Sequence, residues 1–84
     1  MKAPKAKELR AAAASIRGAR SAGYQTSVSR QLLADAPAML AAAGASLKAM
    51  EKRLGGSMED FDKVGMVEAY AAAIAEFRNA VEGV

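Results

Sequence analysis

The fold is decided by residues 33–54, which read LADAPAMLAAAGASLKAMEKRL. Apolar side chains recur in this stretch at alternating intervals of three and four residues, the spacing of a closely packed helix pair. The stripe consists of Leu33, Ala36, Leu40, Ala43, Leu47, Met50 and Leu54. It predicts a helical segment over residues 27–54, which begins at hydroxyl caps between Thr26 and Ser29 and ends at Gly55 and Gly56.

Pro37 lies inside this stripe and leaves two arrangements open. Proline cannot donate a hydrogen bond to the carbonyl of Leu33, and it disfavours helical angles at Ala36. The segment is therefore either one kinked helix or a short turn that ends at Asp35, followed by a new helix that Asp35 caps. We favour the second arrangement, because proline is well tolerated in the first turn of a helix.

A second helical segment is predicted upstream, over residues 5–22, with Pro4 near its start and Gly23 as its stop. One side of it carries Leu9, Ala12, Ala13, Ile16 and Ala19. Only Leu9 and Ile16 are large, so this helix is expected to be weakly anchored to its own chain and completed by a second copy or a partner.

A third segment is predicted over residues 57–82, with Ser57 as its cap and Glu59 and Asp60 in its first turn. Its apolar face consists of Met66, Val67, Tyr70, Ile74, Phe77 and Val81. The short Gly-Gly link makes the segments 27–54 and 57–82 an antiparallel hairpin. The acidic run that begins at Asp60 fails as a calcium loop, since Val64 and Ala71 occupy positions that require oxygen ligands.

The expected architecture is therefore an all-α, single-domain protein of 84 residues: a hairpin of 27–54 and 57–82, plus a basic arm over residues 1–24. The residues expected to form helix packing or an oligomer interface are Leu9, Ile16, Leu33, Leu40, Leu47, Met50, Leu54, Met66, Tyr70, Ile74 and Phe77. A homo-oligomer is expected, because so short a chain buries a marginal core.

Composition restricts the chemistry. Alanine fills 22 of the 84 positions, and histidine, cysteine and tryptophan are absent. Histidine-based triads and thiol nucleophiles are thereby excluded, and neither an enzyme activity, a cofactor nor a metal site is expected. The apolar runs at 38–45 and 69–75 are too short to span a membrane, and no secretory signal is visible, so a cytoplasmic location is expected.

Charge is divided unevenly along the chain. Residues 1–30 carry seven cations against Glu8, a balance of +6, whereas residues 31–84 carry a balance of −3. Such a division suggests either an acidic partner for the front third of the chain or head-to-tail association between basic and acidic faces. The basic edge is also a candidate for contact with nucleic acid. The candidate contact residues are Lys5, Lys7, Arg10, Arg17, Arg20 and Arg30. Base stacking has little support there, since Tyr24 is the one aromatic residue in this region.

Residues 31–43, QLLADAPAMLAAA, resemble a helix motif of small phage and prophage accessory proteins, Leu-Leu/Ile-Ala-x-Ala-Pro-x-Leu/Met-Leu. The matching positions are Leu32, Leu33, Ala34, Ala36, Pro37, Leu40 and Ala42, with Met39 as a conservative change. Ala38 and Ala41 depart from the motif, which carries Glu there, and so does the polar lead-in at 29–31. The resemblance implies a phage-type protein, often a binder of host machinery such as CRISPR or other immunity complexes.

Three functions follow as hypotheses. The first is a non-enzymatic helical interaction protein that binds a host protein or ribonucleoprotein complex and inhibits or redirects it. The second is a DNA- or RNA-binding accessory protein that uses the basic N-terminal helix. The third is a virion or scaffolding protein that assembles in many copies.

Overall fold

Three α-helices make up the part of the chain that the structure, a computed structural model, describes. That part comprises residues 2–54 and 61–83, with the backbone alone for Leu54, Phe61 and Asp62. The helices are α1 (Ala6–Ala22), α2 (Ser27–Leu54) and α3 (Phe61–Glu82). The predicted all-α fold is confirmed, and the limits of the first two helices agree within one residue. The predictions at Gly55, Gly56, Ser57, Glu59 and Asp60 lie outside the described residues.

The turn between α1 and α2 is built by local hydrogen bonds. Gly23 adopts φ +78°, and its N–H and that of Tyr24 donate to the carbonyls of Arg20 and Ala19, at 3.1 and 3.2 Å. This is a Schellman ending, which requires a left-handed residue that glycine adopts readily. The glycine stop predicted at the end of the first helix is confirmed.

Helix α2 starts with a reciprocal cap. The Ser29 N–H donates to Thr26 Oγ1 at 3.0 Å, while the Thr26 N–H donates to Ser29 Oγ at 2.9 Å. This is a capping box in which serine takes the place usually held by Glu or Gln. Ser29 is buried at the end of the core, so its hydroxyl also returns a hydrogen bond to the Thr26 carbonyl at 3.0 Å.

The divided arrangement predicted at Pro37 is wrong. Helix α2 runs unbroken from Ser27 to Leu54 with Pro37 inside it. Asp35 does not act as a cap, because both of its carboxylate oxygens accept hydrogen bonds from the side-chain amide of Gln31, one turn earlier. Pro37 is exposed, whereas Ala36 and Ala43 are buried against the other helices. Packing on both sides of the proline therefore outweighs the lost hydrogen bond to Leu33.

The bundle runs up, down and up. Pro4, Arg17 and Arg20 contact Tyr70, Glu76 and Val81 in the same order along both helices, so α1 and α3 are parallel. Helix α2 runs against them, since Ser46 shares a pocket with Ala69 and Tyr70, whereas Arg53 shares one with Lys63 and Val67. The predicted antiparallel pairing of the second and third helices is thus seen in the described residues.

The expectation of a weakly anchored first helix is wrong. Helix α1 makes its most extensive contacts with α3, and Leu9 and Ile16 are at most 1% exposed. They pack against Tyr70, Ile74 and Phe77 in a single core. The alanines beside them explain the outcome: Ala12, Ala13 and Ala19 on α1 and Ala73 and Ala80 on α3 are buried, and their small side chains let the two helices approach closely. Two large side chains then suffice to fill the space.

Candidate partner-binding groove

One residue on the buried stripe of α3 is exposed. The stripe follows three- and four-residue intervals through Met66, Tyr70, Ala73, Phe77 and Ala80. The last four are at most 5% exposed, whereas Met66 is 66% exposed. Because these positions share one face of the helix, Met66 points toward the place where a third helix would lie. Among the described side chains, the buried stripe of α3 therefore begins at Tyr70.

The start of α1 sets where the core stops. Pro4 is buried, and its carbonyl accepts a hydrogen bond from the Tyr70 hydroxyl at 2.6 Å. Helix α1 begins two residues later, at Ala6. Tyr70 lies nine residues after Phe61, the first residue of α3, so the N-terminal end of α3 extends past its contact with Pro4. Among the described residues, those at this level belong to α2, to α3 and to the non-helical stretch before Ala6.

A groove lies between these described residues. Two adjoining cavities of about 310 and 390 Å³ share Met50 and Met66 as lining residues. The first extends toward the hairpin end and the second toward the start of α1. The described residues that line it are Ala3, Pro4, Lys5, Ala6, Ser46, Met50, Arg53, Lys63, Met66, Val67, Ala69 and Tyr70. We call this surface the methionine groove.

The methionine groove has an apolar floor and a cationic border. Met50 and Met66 lie on facing helices, and methionine adapts its flexible, polarisable side chain to partners of different shape. The charged residues among its described lining are Lys5, Arg53 and Lys63. Such a surface suits the apolar face of an amphipathic helix.

Tyr70 closes the inner end of the groove, and its hydroxyl is the testable part. We expect Tyr70→Phe to lower the free energy of unfolding by about 1–2 kcal/mol, because the Pro4 carbonyl then loses its partner in a buried setting. Urea denaturation followed by circular dichroism measures the change. Tyr24→Phe is the matched control, since Tyr24 is 66% exposed and its substitution is expected to change stability by less than about 0.5 kcal/mol. Equal effects from both substitutions would contradict the bond.

The six candidate cations are all exposed and differ in what they contact. Lys5, Lys7 and Arg10 are exposed on the first turns of α1, and Arg30 is exposed near the start of α2. Arg17 forms an ion pair with Glu76 at 3.5 Å, and the Arg20 guanidinium donates to the Val81 carbonyl at 2.8 Å. Arg20 thereby caps the C-terminal end of α3, where the helix dipole favours a cation. Two of the seven cations in residues 1–30 therefore contact groups of α3 within the chain.

The predicted packing residues fall into three groups. Leu9, Ile16, Tyr70, Ile74 and Phe77 are buried in the core as predicted. Leu33, Leu40, Leu47 and Met50 on α2 are half-buried and pack against that core from one side. Met66 is exposed and does not pack in the core, because α1 begins too late to cover it. The side chain of Leu54 lies outside the described residues.

The sequence interpretation missed Arg53 and Lys63 as neighbours of Met50 and Met66. It also missed the bond from Tyr70 to Pro4. A usable signal was present in the helix lengths. A first helix of 17 residues cannot cover partners of 28 and 22 residues along their whole length.

Other kinds of site find no support in the parts of the chain that the structure describes. They contain no group of three His, Cys, Asp or Glu side chains placed to hold a metal ion. In the same ranges, no helix combines the length and the apolar character needed to cross a bilayer. Comparisons with protein-family models, curated proteins and solved structures give no match to this chain.

Proposed function

We propose that this protein is a non-enzymatic interaction protein that binds a macromolecular partner through the methionine groove. The observation that carries the proposal is Met66, which belongs to the core-facing stripe of α3 and yet is 66% exposed. A partner that packs in the methionine groove buries Met50 and Met66 and extends the apolar contacts of the core. Binding of this kind blocks or recruits the partner without any chemical step.

The proposal is tested by affinity capture from a bacterial lysate with matched variants. Full burial of a methionine side chain contributes about 1.5–3 kcal/mol, so Met66→Gln is expected to weaken partner retention about tenfold or more. Val28→Gln is the control, because Val28 is 61% exposed and lies at the start of α2, far along the helix from Met50. Both variants are expected to melt within a few degrees of the parent chain, since neither residue is buried.

The result that overturns the proposal is a partner retained equally by the parent chain and by Met66→Gln. Retention lost only in Val28→Gln overturns it as well. The phage origin and the host target implied by residues 31–43 stay predictions, as do nucleic-acid binding and assembly in many copies.

A further inference from the structure

We propose that Met66 is a modification site: a hydroperoxide oxidises its thioether to the sulfoxide in the folded chain, and the sulfoxide weakens partner binding. The oxidation depends only on the exposure of the side chain, whereas its effect on binding rests on the proposed function. Both parts follow from the oxidisable groups that the chain carries and from their burial.

Sulfur in this chain occurs only as thioether. The sequence contains five methionines and no cysteine. A hydroperoxide oxidises accessible cysteine thiolates and methionine thioethers in proteins, so here the methionines take this oxidation. Met1 and Met58 lie outside the described residues, and the comparison is therefore made among Met39, Met50 and Met66.

Exposure separates these three methionines. Met66 is 66% exposed, whereas Met39 and Met50 are half-buried and pack against the core. The oxidant must reach the sulfur atom directly, so susceptibility follows exposure. Met66 is therefore expected to react first of the three, and the fold does not need to open for the reaction.

The reaction transfers one oxygen atom. The sulfur of Met66 attacks an oxygen of the peroxide, and the S–O bond forms as the O–O bond breaks. Sulfur loses two electrons and the peroxide gains them. With hydrogen peroxide, a proton moves to the departing oxygen, which leaves as water. The product is methionine sulfoxide, which sulfoxide reductases return to methionine.

The sulfoxide acts on binding rather than on folding. Oxidation turns an apolar side chain into a polar one. In the free chain the new oxygen lies in water, because Met66 is exposed, so the stability of the fold changes little. A partner that covers Met66 removes that water, which costs free energy unless a new hydrogen bond replaces it. Oxidation therefore weakens binding while the chain stays folded.

The modification is tested on the full chain with hydrogen peroxide. Trypsin cuts after lysine and arginine and so places Met39, Met50 and Met66 in separate peptides, 31–48, 49–52 and 64–78. Mass spectrometry of the quenched samples gives an oxidation rate for each methionine. We expect Met66 to oxidise at least about fivefold faster than the other two in the folded chain, and all three to react within about twofold of one another in urea. Equal rates in the folded chain, or a faster reaction at Met39 or Met50, overturn the inference.

The effect on binding is tested by lysate capture after the peroxide has been removed. Met66→Leu keeps an apolar side chain that a hydroperoxide does not oxidise, and Met39→Leu is the matched control that leaves Met66 in place. We expect treatment to weaken partner retention about tenfold in the parent chain and in Met39→Leu, and to leave retention by Met66→Leu within about twofold. Treatment of the oxidised parent with methionine sulfoxide reductases A and B together is expected to restore retention.

The outcomes separate this inference from the proposed function. An equal loss of retention in Met66→Leu and in the parent chain overturns the inference, because another oxidised group is then responsible. If the oxidised parent keeps the partner while Met66→Gln loses it, the inference fails and the proposed function stands. If Met66→Gln keeps the partner, the proposed function fails, and the effect of oxidation on binding fails with it.

Discussion

Leu9→Ala is expected to lower the free energy of unfolding by about 3–4 kcal/mol. Leu9 is completely buried and lies in the same cluster as Tyr70 and Phe77. Truncation of a buried leucine removes its transfer free energy and leaves a cavity, and such changes cost about 2.7–5 kcal/mol. A domain of this size has a total stability of about 4–13 kcal/mol, so a large part of it is lost.

Chemical denaturation followed by far-ultraviolet circular dichroism measures this change, with Arg10→Ala as the control. Arg10 is the next residue on the same helix and is exposed, so its substitution is expected to shift stability by less than about 0.5 kcal/mol. The contrary result is a similar, small shift from both variants. It would mean that α1 does not dock on α3 and that the first helix needs a partner to be held.

Pro37→Ala is expected to raise the free energy of unfolding by about 2 kcal/mol. Proline in a helix interior is about 3 kcal/mol less favourable than alanine, because it removes a hydrogen bond and crowds the preceding turn. Part of that gain is offset, since alanine gives the unfolded chain more freedom, by about 0.4–1 kcal/mol. Pro37 is exposed, so no core contact is lost on substitution.

The scale for this gain comes from Gly18→Ala. Gly18 is an exposed position inside α1, and an added Cβ meets nothing within 4 Å. Its replacement is expected to add about 1 kcal/mol, so the effect at Pro37 exceeds it about twofold. Thermal and urea denaturation of the three chains provide the comparison. A loss of stability in Pro37→Ala indicates that proline begins a helix there, and it contradicts the unbroken α2.

Much of the fold is predictable from local chemistry. The limits of α1 and α2 follow from Gly23, from the hydroxyls of Thr26 and Ser29, and from the spacing of apolar residues. Tyr70 and Phe77 are recognisable as core because they share one face of a strongly periodic helix. These signals lie within a few residues of the features that they determine.

The rest depends on contacts between helices. The unbroken helix at Pro37 is not predictable from the sequence, because the sequence shows the local cost of proline but not the packing of Ala36 and Ala43 that outweighs it. The close docking of α1 on α3 is not predictable either, because the number of large side chains does not show how closely alanines let two helices approach. Arg17 and Arg20 find partners on α3 only because the two helices run parallel.

Met66 shows the limit most clearly. Its periodicity is the same as that of Tyr70, so no local pattern distinguishes the exposed residue from the buried one. The difference comes from the level at which α1 starts along α3. A candidate site of this kind is defined by relative helix lengths and register, which only the assembled bundle reveals.

Under the proposed function, the start of α1 at Ala6 also sets how much of α3 a partner can cover. Each residue by which that start is moved upstream lengthens α1 by about 1.5 Å and shortens the methionine groove by the same length. If α1 were redesigned to begin two turns earlier, with leucines on its core-facing side, it would cover the methionine groove and exclude a partner. The specificity of the proposed binding can thus be tuned by where one helix starts, through changes in the few residues that precede Ala6.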